Sequence, residues 1–204
     1  METALVLSEI SPHERYKLLI GLVIPRPIAW ISTRSANGVA NCAPFSFFNV
    51  FSEDPPLCVI GINPRSDGAM KHSLKNIRRT REFVVNLVDE ATANAMHISS
   101  HEFAEEESEF DKAGLTEARA SLVQHPRIAE AAASFECRVE RIIEVSGTRQ
   151  LILGEMLMVH ARDGVIDPQT KRISEEHYRP IGRLFANRYC TTRQRFDLPG
   201  SLPD

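Results

Sequence analysis

Apolar residues are grouped in six runs that turn-forming residues separate. The runs cover residues 28–34, 39–43, 57–62, 82–88, 135–145 and 150–161. Their lengths and their β-branched and aromatic residues are typical of strands. The Asn37-Gly38 pair accepts the positive φ of a tight reversal, and residues 146–149 have the composition of a second one. The pattern therefore predicts strands that are joined as antiparallel hairpins.

Apolar residues recur at helical spacing in fewer places. Ser11-Pro12 predicts the N-cap and first position of a short helix ahead of the first strand. Met70, Leu74 and Ile77 share one helical face, which predicts a helix over residues 70–81. A further helix is predicted over residues 89–100 with Asp89 as its cap, and residues 122–133 are compatible with one more short helix.

This order of elements predicts a mainly β fold with α additions. Short antiparallel reversals favour a closed or nearly closed β-barrel with helices packed outside it. The alternative is a doubly wound parallel sheet, which is disfavoured because no G-x-G-x-x-G turn joins a strand to a helix. No linker divides the 204 residues, so the sequence predicts one domain over residues 1–204.

Composition narrows the class of protein. Hydrophobic residues make up 43% and charged residues 25%, and a net charge of -3 gives no electrostatic reason to expect nucleic acid or an anionic membrane. The longest apolar run near the N-terminus is cut by Pro25-Arg26-Pro27, so we expect neither a signal peptide nor a membrane span, and a cytoplasmic location. The four cysteines are scattered and form no C-x-x-C pair, which favours reduced, buried thiols.

The stretch after the first hairpin combines aromatic and polar residues outside any regular period. Pro44 is expected to end the returning strand, and Phe45, Phe47 and Phe48 then alternate with hydrogen-bonding side chains such as Ser46. This mixture suits a flat ring with polar edges. The three phenylalanines either stack on that ring or fill the barrel core, and their alternation indicates that they do not all do the same.

A cluster of cationic and hydroxyl side chains follows the next strand. The loop and the start of the predicted 70–81 helix carry Arg65, Ser66, Lys71 and Ser73. Free N–H groups at a helix start, the positive end of its dipole and two cationic side chains together make a phosphate site. The alternative from these residues alone is an ordinary capped surface helix.

The ordered set of motifs resembles the flavin reductase-like family of FMN-binding split barrels, over about residues 24 to 189. The segments that carry the resemblance are RPIAWISTRSANGVANCAPFSFFNVFSEDPPLCVIGI, NPRSDGAMKHSLKNIRRTREFVVNLV, EFDKAGL at 109–115, LGE at 153–155 and the closing IGRL. The resemblance implies a homodimer with one FMN per subunit near the dimer interface. It also implies reduction of flavin by NADH or NADPH, in which the cofactor carries the hydride chemistry.

The resemblance also implies where the flavin binds. The ring and ribityl chain would be held by Thr33, Arg34, Ala43, Pro44, Ser46, Phe47, Phe48 and Asn49. The phosphate would be held by Arg65, Ser66, Lys71 and Ser73, which agrees with the anion site argued from charge and helix geometry. His160 lies at the end of a strand that the resemblance places near the flavin, so it is the candidate for proton handling; alternatively it is bonded to backbone.

Two positions depart from the family pattern. Gly147-Thr148-Arg149 stands where many of these reductases carry Gly-Asp-His, a place tied to the nicotinamide nucleotide. Arg149 either pairs with a phosphate as a planar bidentate donor or is a surface turn residue. His72 stands where related chains often have Asp, either titrating beside the phosphate or merely exposed.

The leading hypothesis is an FMN-dependent NAD(P)H:flavin reductase. The main alternative is an FMN-binding protein that transfers or stores electrons without nicotinamide reductase activity. A barrel that binds nucleic acid or protein without any cofactor is a third possibility. His97 and His101 share a helical face, but no HExxH pattern surrounds them, so no metal is predicted.

Overall fold

The computed structural model describes residues 2–147, 149–198 and 200. Its strands are β1 Ala29–Arg34, β2 Ala40–Phe45, β3 Phe48–Glu53, β4 Pro56–Ile62, β5 Glu82–Leu87, β6 Glu117–Ala118, β7 Arg127–Ile128, β8 Ala133–Ser146, β9 Arg149–Ala161, β10 Ile181–Arg183 and β11 Tyr189–Thr191. Its helices are α1 Pro12–Leu22, α2 His72–Thr80, α3 Ala93–Ile98 and α4 Glu109–Ala113, with a 3-10 turn at Leu7–Glu9. None of these helices is both long and apolar enough to cross a membrane.

Seven strands form one antiparallel sheet in the order β2-β1-β5-β8-β9-β4-β3. The sheet curls so that its two edge strands, which follow one another in the chain, approach without pairing along their length. A backbone hydrogen bond of 2.7 Å from the Gly61 N–H of β4 to the Phe47 carbonyl holds the short connection between these two strands. The predicted barrel with outer helices is therefore confirmed as a split barrel, and the doubly wound parallel sheet is wrong.

Strand β1 is buried on both faces because two apolar clusters cover it. Ile31 packs inside the barrel, around the fully buried Phe83 of β5. Trp30 points outward and packs against Met96 of α3 and Phe110 of α4. The indole N–H donates to the Ser99 hydroxyl at 2.9 Å, so the polar edge of this buried ring is satisfied.

The chain around Pro44 differs from the prediction. Strand β2 does not end at Pro44 but continues to Phe45, and β3 begins at Phe48, so only Ser46 and Phe47 form the connection. Proline is tolerated there because β2 is an edge strand, whose outer side requires no donor for a ladder bond.

Two predicted helices differ from those in the structure. The helix predicted over residues 89–100 begins at Ala93, because the Asp89 carboxylate accepts the Thr92 N–H and forms a separate turn. The helix considered for residues 122–133 is wrong. The Leu122 and Val123 N–H groups donate instead to the Glu136 carboxylate of β8, at 2.5 and 3.0 Å, which takes the backbone away from helical pairing.

The core predicts that Gly154→Ala destabilises the protein by about 1–3 kcal/mol, the usual cost of overpacking. A Cβ atom on Gly154 would lie 2.4 Å from Cζ of Phe83, and this ring is fully buried, so it cannot shift without displacing its neighbours. Urea denaturation measures the effect. The matched control is Gly21→Ala in α1, where a Cβ meets nothing within 4 Å and should not destabilise. Equal stability of the two variants would contradict this packing.

Candidate functional site

Three adjoining clefts meet where β2 ends, and each of them is lined by Pro44. The first, of about 310 Å³, lies between α1, α3 and the β10–β11 hairpin. The second, of about 340 Å³, lies between α1 and the end of β4. The third, of about 50 Å³, lies at the start of α2. We call these three clefts together the Pro44 groove.

A buried arginine holds the walls of this groove in place. The Arg26 guanidinium donates to the Ile20 and Val23 carbonyls at the end of α1, at 2.7 and 2.8 Å. It also donates to the Leu184 carbonyl at 2.8 Å and to the Ser46 hydroxyl at 3.4 Å. One side chain therefore ties α1, the segment after β10 and the β2–β3 connection together.

The aromatic residues beside Pro44 have different roles, as their alternation indicated. Phe45 is buried and Phe48 packs against the barrel core. Phe47 is 37% exposed and meets Tyr16 edge to face, with ring centroids 6.4 Å apart. Phe47 and Tyr16 both line the 340 Å³ cleft, so this pair supplies the open aromatic wall of the groove.

The residues predicted to bind phosphate converge on one carboxylate. Ser66 donates its N–H and its hydroxyl to Glu102, at 3.0 and 2.7 Å. A guanidinium nitrogen of Arg65 and Nζ of Lys71 lie 3.9 and 4.0 Å from the same carboxylate. The donors are therefore aimed at one point, where a carboxylate of the chain itself stands in for an anionic ligand.

The start of α2 adds donors to this point. Lys71 occupies the N-cap position, and its side chain has no acceptor with which to cap the first-turn N–H groups. The positive end of the helix dipole therefore faces the cationic pair. Ser73, in the first turn, is buried and accepts from the Asn41 amide at 3.0 Å, and both residues line the 50 Å³ cleft.

His72 completes the cluster at the helix start. Its Nε2 lies 3.1 Å from a guanidinium nitrogen of Arg65. Burial, together with the nearby Arg65 charge, lowers the pKa of His72. The ring is therefore neutral at pH 7 and accepts a hydrogen bond from Arg65, so it orients the guanidinium rather than adding charge.

Glu109 is a groove residue to which the sequence assigned no role. Its carboxylate accepts the Cys42 N–H at 3.2 Å and lines the 50 Å³ cleft from below. Burial raises the pKa of Glu109 to about 7, so it exchanges a proton near neutral pH. The EFDKAGL motif contains this residue, but only the folded chain places it beneath β2.

Thr33 and Arg34 line none of the three clefts. The Thr33 hydroxyl is fully buried under α2 and accepts from the Asn76 amide at 3.0 Å. Arg34 pairs with Glu117 and donates to the Gly38 carbonyl. Thr33 pairs with Asn41, a residue of the 50 Å³ cleft, and Arg34 pairs with Ala40. Their assignment to the flavin stays a prediction.

His160 and Asn49 also point elsewhere. His160 Nε2 lies 2.5 Å from the Glu136 carboxylate, which is fully buried and accepts three backbone N–H groups of residues 121–123. Although burial alone would raise it, the pKa of Glu136 is held low by the Ser121 N–H, His160 and the other donors. Asn49 accepts the N–H of its neighbour Val50 on exposed β3. The proton-handling role of His160 stays a prediction.

Two further positions were singled out in the sequence. Thr148 of the Gly147-Thr148-Arg149 turn lies outside the described residues, and Arg149 is exposed at the start of β9. The rings of His97 and His101 meet edge to face with centroids 5.4 Å apart. Within the part of the chain that the structure describes, no group of three or more His, Cys, Asp or Glu side chains is placed to hold a metal ion.

A family model and a sequence relative each match most of the chain. The profile described as "Flavin reductase like domain" matches residues 21–182. An uncharacterized protein of Aquifex aeolicus (strain VF5) is 44% identical over 90% of this chain and 93% of the relative.

Two solved structures superpose closely on this chain. The Pseudomonas fluorescens 2-nitrobenzoate 2-nitroreductase NbaA has a TM-score of 0.90 at 35% identity, covering 99% of both chains. Nitrilotriacetate monooxygenase component B from Bacillus cereus has a TM-score of 0.91 at 30% identity, covering 97% of this chain and 99% of that one.

Proposed function

Since the chain belongs to the flavin reductase like family, we propose that it is an FMN-dependent oxidoreductase that reduces bound flavin with NADH or NADPH. The observation that carries the proposal is the convergence of Arg65, Ser66 and Lys71 on one anionic group beside a groove. Bound FMN would supply the hydride chemistry, and the chain would supply binding and orientation.

The residues of the Pro44 groove fit the parts of FMN. Arg65, Ser66, Lys71, Ser73 and the first turn of α2 offer charge-assisted hydrogen bonds to a phosphate. Ala43, Pro44 and Ser46 form the floor of the groove along β2 and its connection, where backbone groups at a sheet edge remain free to bond a polar ring edge. Phe47 and Tyr16 form its aromatic wall.

A second ligand also fits. The 310 Å³ cleft shares Pro44 and Ser46 with the neighbouring 340 Å³ cleft. Its volume is in the range of small-molecule sites, so it accommodates a nicotinamide or a one-ring acceptor beside the flavin. This second cleft favours a reductase that handles a co-substrate over a protein that only stores flavin. NbaA, by its name, acts on such a ring, 2-nitrobenzoate.

The proposed enzyme is a homodimer. Several large apolar side chains are exposed in the single chain, among them Leu22 and Val23 at the end of α1 and Val50 and Phe51 on β3. Exposed apolar side chains that gather in a patch mark an interface, which is consistent with a dimer. Sedimentation equilibrium should give about twice the chain mass of 22.9 kDa. A 22.9 kDa species that still binds FMN would show that FMN binding does not require a second subunit.

The phosphate site predicts that Lys71→Met weakens FMN binding about tenfold, as expected for loss of one charge-assisted contact. Riboflavin, which lacks the phosphate, should bind wild type and variant alike. Flavin fluorescence titration measures both affinities. The control is Lys75→Met, one turn further along α2, where the lysine pairs with Glu105 and does not line the groove. If the wild type bound FMN and riboflavin with equal affinity, the assignment of the phosphate site would be refuted.

The nicotinamide donor is tested by anaerobic mixing of the FMN-loaded protein with NADH or NADPH. We expect NADPH to bleach the flavin band faster if Arg149 binds the extra phosphate, and Arg149→Ala should then raise the KM for NADPH while FMN affinity stays unchanged. If both nucleotides reduce the flavin and Arg149→Ala does not change either rate, Arg149 is only a turn residue. Reduction by dithionite but by neither nucleotide would refute the nicotinamide donor.

A further inference from the structure

Glu102 is the anionic group on which the donors of the proposed phosphate site converge. It lies in the irregular segment between α3 and α4, and its side chain is 34% exposed. Its carboxylate accepts both donors of Ser66 and is the anion closest to Arg65 and Lys71 among the pairs that the described residues form. The hydrogen bonds of Ser66, with the two nearby cations, lower the pKa of Glu102 and keep it charged.

We propose that Glu102 is an intramolecular competitor of the FMN phosphate: its carboxylate occupies the anion site until a phosphate displaces it. The inference rests on the proposed function, because it concerns the same site. It adds that one residue of the chain sets how strongly the site selects a phosphorylated flavin over an unphosphorylated one.

The geometry makes the two occupants mutually exclusive. The Ser66 N–H and hydroxyl each carry one proton to donate, and both are aimed at Glu102. A phosphate monoester carries about 1.5 to 2 negative charges at pH 7, so a carboxylate left beside it would be repelled. Glu102 can leave because its contacts lie at the surface and it belongs to no helix or strand.

Displacement has a cost that depends on the ligand. A phosphate must replace every contact that Glu102 loses, so Glu102 weakens the binding of FMN. Riboflavin brings no anion to the site and leaves Glu102 in place. The opposite role, in which Glu102 stays and positions Ser66 and Arg65 for the phosphate, predicts an opposite effect of its removal.

The test is Glu102→Gln, which keeps the shape of the side chain but removes its charge. We expect FMN to bind about tenfold tighter, because the amide is a weaker competitor for charged donors. Riboflavin affinity should be unchanged. Flavin fluorescence titration on the apo-protein gives both constants. Inorganic phosphate is the third probe, and it should raise the Tm of Glu102→Gln at lower concentration than that of the wild type.

The matched control is Glu105→Gln. Glu105 belongs to the same acidic segment but pairs with Lys75 and does not line the groove. An equal gain in FMN affinity for this variant would show a general effect of net charge and overturn the proposal. Weaker or unchanged FMN binding by Glu102→Gln would overturn it as well, in favour of a positioning role.

Failure of the proposed function has a different signature. A wild-type protein that binds neither FMN nor riboflavin would refute the flavin assignment. Inorganic phosphate would still test Glu102 in that case. Competition is supported if the phosphate concentration that half-saturates the Tm increase is lower for Glu102→Gln than for wild type and Glu105→Gln. Equal concentrations for the three proteins exclude it.

Discussion

The site depends on the buried guanidinium of Arg26. Three of its hydrogen bonds go to backbone carbonyls of α1 and of the segment after β10, and a fourth goes to Ser46. A buried charge with these bonds broken would be costly, so the surrounding segments are held where the bonds can form. The backbone of Arg26 also pairs with Arg183, which reinforces the same junction. The N-terminal helix and the C-terminal hairpin thereby become walls of one groove.

Opposed charges control the rest of the groove. Arg65 and Lys71 make the start of α2 attractive to anions, while Glu102 neutralises them from the facing loop. Below β2, the raised pKa of Glu109 keeps a large fraction of this carboxyl protonated near pH 7. Burial therefore limits the negative charge at Glu109, and the carboxylate that faces Arg65 and Lys71 lies in a segment outside the helices and strands.

Glu136 gives the functional candidate His160 a structural contact as well. The sequence suggested His160 for proton handling because of its place at the end of β9. In the folded chain His160 bonds to a fully buried carboxylate that also anchors the backbone of residues 121–123. The contacts of Glu136 explain the conformation of that loop, and the proton-handling role of His160 stays a prediction.

The sequence by itself determined the elements whose signals are local. Alternating and β-branched residues located six of the seven strands of the main sheet, all but β3. Asn37-Gly38 located a hairpin, and Ser11-Pro12 located the start of α1. The cationic and hydroxyl cluster at the start of α2 was also predictable, because its residues and the helix start lie within nine residues of chain, from Arg65 to Ser73.

Only the tertiary structure decided features that depend on residues far apart in sequence. Pro44 stays in a strand because β2 became a sheet edge, and residues 122–133 avoid a helix because Glu136 supplies acceptors from another strand. The Ser66–Glu102 contact joins residues 36 positions apart. Such hydrogen bonds leave no periodic trace in the sequence, since a single polar side chain at either end is compatible with many partners until the barrel brings one within reach.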